Sequence, residues 1–450
     1  MPEYETEVNE GVQHRRIEIG KRSVAAARNG DRMLIKQVLS ERQRARECKC
    51  RGHAMYVVKH LWNFAVIFAQ LLAFGLISSP VSGETLYRIT DLGDLPGGID
   101  SSTAIAINES GLVVGWSEAE TGTRAFLWES GVMTDLGDLS GGRDTSEARG
   151  INDAGQVVGR SEDEVSGRAF LWTAGSLTNL GALPGGSGNS SAYDINAAGQ
   201  VVGRSVGAAP GGSVFGQATL WEPGGEVIRG LGDLPGGRDE STAHAINATG
   251  QVVGESDTST GPHAILWEPG GSLTDLGDLP GGQDQSIAHD INNSGLIVGE
   301  SQSADGQRAF LWNAGVMRDL GHLGGRLNRS MAYAINDADI VVGLSNSTRG
   351  DAGFIWGADS GMRDLNELID PDDPVLGGAS HLLLHGAKDI NNSGQIVGQM
   401  SIDGVRHGYL LTPLSSADEV GIYYLWLLLL LILLLIILLL FLRRKRPAPE

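Results

Sequence analysis

The sequence predicts an all-β fold: a seven-bladed β-propeller of about 44-residue, four-stranded repeats, followed by one C-terminal transmembrane helix. Three observations predict it. A nine-residue motif recurs seven times, each copy is followed by glycine-punctuated strand-like segments, and one unbroken apolar run lies near the C-terminus. The 65 glycines among 450 residues follow no collagen period, which points instead to short strands joined by tight turns.

The motif is Ile-Asn-x-x-Gly-x-(Val/Ile)-Val-Gly, with its asparagine at Asn108, Asn152, Asn196, Asn247, Asn292, Asn336 and Asn391, at intervals of 44, 44, 51, 45, 44 and 55 residues. One copy carries Asp339 in place of the first glycine. Downstream lies an (Ala/Gly)-x-x-Trp segment with Trp128, Trp172, Trp221, Trp267, Trp312 and Trp356; the seventh copy has Leu411 in that place. A glycine turn and a strand ending in Asp-Leu-Gly or a variant complete the unit. In the second unit the four strands are 148–152, 156–161, 168–172 and 176–180. Gly and Asn between them permit the positive φ of tight hairpins, and four antiparallel strands in this length make one propeller blade. The tryptophan row reads as core packing, because aromatic anchors recur in blades for burial.

The seventh unit supplies three strands, near Asp389, Gln395 and Gly408, and lacks a fourth. The segment Tyr87 to Gly93 aligns with Val132 to Gly137, so it is expected to complete the last blade and remove a free sheet edge.

Within the third strand, Arg124-Ala125-Phe126-Leu127-Trp128 has close copies at Arg168 and Arg308, and His263-Ala264-Ile265-Leu266-Trp267 is a variant form. This element resembles the bacterial extracellular HAF-repeat family, named after a His-Ala-Phe element before Leu-Trp, over residues 85–412. The resemblance implies an exported, propeller-like architecture and carries over no established activity. Arg, Gln217 and Ala352 at the His place mean that a histidine there is not required as ligand or base. The tail resembles C-terminal sorting signals built from a helix and an arginine cluster, but Ser415 to Glu419 stands where their Pro-Glu-Pro or Gly-Gly element would be.

The remaining segments suggest export. Residues 55–83 have the layout of a signal peptide, an apolar stretch from Leu61 to Ser78 ending in small residues. The 54 residues before it form a basic extension or reflect a start at Met55, which would leave a signal of ordinary length. Residues 84–412 hold the propeller, 413–420 a spacer, 421–442 the transmembrane helix and 443–450 a basic tail expected in the cytoplasm. A helix over 421–442 would be ~33 Å long, the thickness of a bilayer's hydrocarbon core. The expected placement is therefore a single-pass membrane protein with its repeats in the periplasm or outside the cell.

Residues 84–420 carry 17 basic and 45 acidic groups, with Lys388 the only lysine. A surface so negative repels phosphate backbones, which excludes nucleic acid as a partner. Cys48 and Cys50 precede the repeats, so the repeats hold no disulfide, cysteine nucleophile or cysteine metal site.

No catalytic motif is assembled in the sequence, and the protein is expected not to be an enzyme. The once-per-repeat carboxylates Asp91, Asp135, Asp275, Asp319 and Asp364 read as structural, bonding backbone groups between blades. The Gly-Gly-x-Asp loops at Asp100, Asp144, Asp239 and Asp284 read as capped turns; calcium is the alternative, since it takes several loop oxygens. No other cofactor is expected. The inserts Val206 to Gln217 and Asn366 to His385 fall on one face of a propeller with those loops, and variable loops on a rigid scaffold are where recognition usually lives. Asp370, Asp372, Asp373, His381 and His385 are therefore the expected ligand-binding residues. The expected function is a membrane-anchored, monomeric binding or adhesion module for a protein or glycan, with its loop face turned away from the bilayer. The alternative is an exported glycan hydrolase or lyase.

Overall fold

The computed structural model describes residues 85–208, 214–225, 227–414 and 432. Each repeat folds as an antiparallel meander, the second through Ser146–Ile151, Val157–Glu162, Gly167–Thr173 and Ser176–Asn179. The motif asparagine makes the first hairpin. Asn152 Oδ1 accepts from the amides of Ala154 and Gln156 at 3.1 and 3.0 Å, and Gly155 turns the chain at φ 71°. At the sixth copy Asp339 takes the same conformation, φ 61°, and accepts a hydrogen bond from Asn292 Nδ2 at 3.0 Å.

The apolar cores lie between neighbouring repeats. One joins Ala106, Val114, Ala125 and Leu136 of the first repeat to Ala148, Ile151, Val157 and Phe170 of the second. Small alanines and β-branched valines let the sheets stack face to face, and each buried Phe or Trp fills the space between them. Serines tie the same interface. Ser146 Oγ donates to the Gly137 carbonyl at 2.6 Å and accepts from the Ala125 amide at 3.0 Å, a pattern repeated at Ser190, Ser241, Ser286 and Ser330.

The strand Tyr87–Asp91 runs antiparallel to Val405–Pro413, with Ile89 opposite Leu411. That is the relation of Met133 to Trp128 in the first repeat.

Two parts of the expected architecture are corrected. The sheets are not a closed, seven-fold set of blades. Hydrogen bonding forms five four-stranded sheets and one eight-stranded sheet, in which the last and first repeats join through a parallel bridge between Ser101 and Arg406. The join is local: it rests on Ser101 of the first repeat's opening strand, Gly97–Ile107, standing alongside Arg406. Among the described residues the fold is all-β and propeller-like, with six sheets.

The second correction concerns the membrane. No helix among the described residues is long and apolar enough to cross one. The α-helix Pro374–Gly378 has five residues, whereas a span needs about 20. The expected span 421–442 lies outside the described residues except for Ile432, as do segments 1–54, 55–83 and 443–450. The expected single-pass placement, and the loop orientation that depended on it, do not stand.

Candidate functional site: a central cavity lined by seven bulges

Every first strand carries a β-bulge at one register. The breaks fall at Ile105, Arg149, Tyr193, His244, His289, Tyr333 and Lys388, each three positions before the motif asparagine. A glycine of the second strand stands beside each bulge. At Gly159, for instance, a Cβ would overlap the Glu147 carbonyl oxygen, so the two strands approach more closely than any other residue allows. A bulge inserts one unpaired residue and re-aims its side chain. Here all seven side chains are brought to the wall of one cavity of about 400 Å³ where the first strands converge.

Six of these side chains form a continuous arc. The rings of Tyr193, His244, His289 and Tyr333 stand edge to face, with successive centroids 5.6 Å apart. Arg149 caps one end, 4.8 Å from the Tyr193 centroid, and Lys388 caps the other, 4.2 Å from that of Tyr333. Cations over aromatic faces are attracted by the ring quadrupole. Burial drives the Lys388 ammonium below its usual range, and it drives the Tyr333 phenol up to about 12.

Burial also depresses His244, outweighing the nearby Glu255 and Glu300 carboxylates, so its imidazole is neutral around pH 7. His244 Nε2 is 3.8 Å from Glu255 and His289 Nε2 is 3.7 Å from Glu300, both too long for hydrogen bonds. Among the described residues, His244 Nε2, His289 Nε2 and Glu300 Oε2 are buried without a hydrogen-bond partner. Buried polar atoms are normally paired, so each is open to a water or a ligand.

Beneath the arc lie three carboxylates, Asp194, Asp290 and Asp389. Each accepts from the isoleucine amide of the next repeat, Ile246, Ile335 and Ile107 respectively, at 2.8 to 2.9 Å. Each also accepts from its own neighbour's amide at 2.7 Å. Desolvation still dominates, raising Asp290 to about 7 and Asp389 to about 6, with Asp194 also raised.

The loop residues expected to bind ligand are placed elsewhere, and none lines this cavity. Asp373, an expected ligand-binding residue, is 2% exposed. It caps the helix Pro374–Gly378 through the Val375 amide at 2.8 Å and accepts from the Ile89 amide at 2.9 Å, so it is structural. Asp370 accepts from the Asp372 amide at 3.0 Å and lies 4.0 Å from Arg88. Asp372 and His381 are exposed, and His385 Nε2 meets Ser401 Oγ at 2.9 Å. The insert around 206–217 largely lengthens a hairpin, Val201–Ala208 against Val214–Trp221.

Three of the four Gly-Gly-x-Asp carboxylates, Asp100, Asp144 and Asp284, meet the residue at the His place of the third strand. His407 donates to Asp100 at 2.6 Å and to Asp91 at 2.9 Å. Asp144 pairs with Arg124 at 3.2 Å, and Asp284 with His263 at 3.2 Å. Asp239 is exposed; burial first, and the charge of Asp239 second, raise Asp233. Asp94, Asp100 and His407 have ligand atoms within 4.8 Å of one another, but the hydrogen bond to Asp91 raises His407 to about 9. At neutral pH the chain's own cation occupies that place, and calcium would have to displace it. Asp91, Asp135, Asp275, Asp319 and Asp364 accept from the amide two residues on, so they cap their own turns rather than bridging blades.

Of the tryptophans, Trp128, Trp221, Trp267 and Trp356 are buried, while Trp172 and Trp312 are partly so. All six lie on third strands, each paired with the first aliphatic residue of the motif's second strand.

No protein-family profile matches the chain, and no curated protein does. Among solved structures, a gluconolactonase-like protein is 11% identical, with 75% of this chain and 96% of that one covered and a TM-score of 0.35. A TolB-like protein of Agrobacterium tumefaciens is 12% identical, covering 73% and 99%, with a TM-score of 0.36. A dipeptidyl peptidase 4 of Porphyromonas gingivalis is 13% identical, covering 69% and 52%, with a TM-score of 0.33. Likenesses at these TM-scores carry no argument here. What the chain's own hydrogen bonds and inter-sheet cores define is a β-propeller-type module with a central cavity.

Proposed function

We propose that the module is a binding protein whose central cavity takes a small polar ligand, a sugar or the end of a glycan chain, without making or breaking a bond. The observation that carries this is a contrast within the repeats. Around the bulge, Ala stands two positions before it in no copy and one position before it in all seven, and Ile-Asn follows throughout. At the bulge itself the seven copies hold five residue types, Ile, Arg, Tyr, His and Lys. Folding needs the constant positions; the varied ones share one cavity. Its volume lies within the range of small-molecule sites, and aromatic edges beside unpaired polar atoms suit the apolar faces and hydroxyls of a sugar. On this reading the HAF-type repeat is the scaffold and calcium is not required.

The test is calorimetric titration of the full chain with a panel of mono- and oligosaccharides. Tyr193→Ala with His289→Ala should weaken binding by at least ~10-fold, about 1.4 kcal/mol. Asp372→Ala with His381→Ala should leave it unchanged. The reverse pattern moves the site to the loops, where a protein partner becomes the better reading.

A glycan hydrolase or lyase is the second reading, favoured by Asp290, whose carboxyl pKa of about 7 suits general acid–base work. Both of its oxygens already accept backbone amides, which favours a structural role. A product assay on bound glycans, with Asp290→Ala as control, separates the two readings.

A further inference from the structure

We infer that the edge of this cavity between the second and third repeats holds an oxyanion, which makes the ligand an acidic sugar bearing a carboxylate, sulfate or phosphate. The inference rests on the reading of the cavity as a ligand site. Arg149, Arg160 and Arg204 line an adjoining pocket of about 180 Å³ together with Asn189, Ser191 and Tyr193. Arg149 and Tyr193 line both spaces, so the pocket adjoins the cavity at these two side chains.

The concentration of charge is unusual for this chain. Residues 84–420 hold 17 basic groups against 45 acidic ones, yet three guanidinium groups meet here. Two of the three are ion-paired and, among the described residues, Arg204 is not. Arg149 bonds Glu147 at 2.8 Å, and Arg160 stands 3.7 Å from Glu162. Arg204 feels Glu255 only through its field, and Arg160 Nε is buried without a hydrogen-bond partner. Planar guanidinium groups match the two-oxygen geometry of carboxylate, sulfate and phosphate.

Room for two of them is built into the third strands. The guanidinium of Arg160 lies where a Cβ on Gly167 would be, and that of Arg204 where a Cβ on Gly216 would be. The equivalent positions in the other repeats are Thr123, Pro262, Gln307, Asp351 and Arg406. Glycine therefore occurs there only in the two repeats whose second strand carries arginine at this register, where the others carry Trp116, Glu255, Glu300, Leu344 and Gln399.

The full chain is titrated with glucuronate, glucose 6-sulfate, glucose 6-phosphate and uncharged glucose, and with inorganic sulfate and phosphate alone. At least one acidic sugar should bind ~10-fold or more tightly than glucose, and added salt should narrow the gap. Which acidic sugar binds best identifies the oxyanion. Arg160→Gln with Arg204→Gln should abolish the preference while leaving glucose binding in place; Arg204→Lys, read in parallel, should reduce it even if the double variant does not fold. Equal binding of acidic and neutral sugars, or a preference that survives in both variants, overturns this inference and leaves the cavity reading intact. Binding of the inorganic anions without any sugar overturns the sugar assignment. Failure of every sugar to bind overturns the cavity reading itself.

Discussion

Asn391 Nδ2 donates to the backbone carbonyl of Asn108 at 3.1 Å, across 283 positions of sequence. It is one link in a circuit: Asn108 bonds Asn152, and the chain of donors passes through Asn196, Asn247, Asn292 and Asn336 to Asn391. Each side chain also accepts amides of its own turn, so one residue type both shapes a hairpin and ties it to the next repeat. Replacing Asn391 by Ala strands the buried Asn108 carbonyl and the Gln395 amide, at a cost of roughly 2–4 kcal/mol. Chemical denaturation should show that loss. Limited proteolysis should find the terminal strands Tyr87–Asp91 and Val405–Pro413 cut sooner than in Asn247→Ala.

His407 gives a pH signature. Its pKa rises from the usual 6.5 to about 9, chiefly through the Asp91 hydrogen bond. A histidine raised on folding stabilises fully below its unfolded pKa, and that stabilisation is lost as pH climbs through the folded value. Asp91 is depressed despite burial, because His407 and the Gly93 amide bond it, so its share disappears as acid protonates it. His407→Gln should therefore cost about 1–2 kcal/mol near pH 6, discounted for the exposed Asp100 partner, and almost nothing above pH ~10. Paired denaturation curves across pH 5–10 check this.

Asp290 acts in the opposite sense from an ordinary paired carboxylate. Its folded pKa, about 7, lies above the unfolded value, so ionisation opposes folding and stability falls as pH rises from about 4 to 7. Asp389, at about 6, adds to the slope. Asp290→Asn should flatten that slope while lowering stability at pH 5 by about 1–2 kcal/mol, because its amide nitrogen meets a backbone donor. A slope unchanged by the substitution would locate the titration elsewhere.

Asp373→Ala should destabilise without changing ligand affinity. It removes the cap of Pro374–Gly378 and leaves the buried Ile89 amide unpaired, a loss of about 2–3 kcal/mol. Thermal melting reads the first effect and calorimetry the second.

The strands were legible because the residues that build them recur. Asn-x-x-Gly shapes a turn, and Val-Val before Gly fills the space between sheets, so the period is written in positions that tolerate little change. Pairing of Tyr87–Asp91 with the last repeat was legible for the same reason. The fusion of the first and last sheets was not, because it depends on a single bridge made by an extended strand. The cavity was missed for a related cause: a bulge residue has no ladder partner to constrain it, so Arg149, Tyr193 and His244 share no residue type. The signal that could have found them is the column of unlike residues between the constant Ala and Ile-Asn. Loop aspartates drew attention instead, although Asp373 is spent on a cap and Asp100 on His407.

The most direct measurement follows the imidazole resonances of His244, His289 and His381 while the full chain is titrated with the tightest-binding sugar. Saturable shifts at His244 and His289, with His381 unmoved, are the expected result. A shift at His381 with His244 and His289 unmoved would place the ligand on the loops and contradict the central cavity as the binding site.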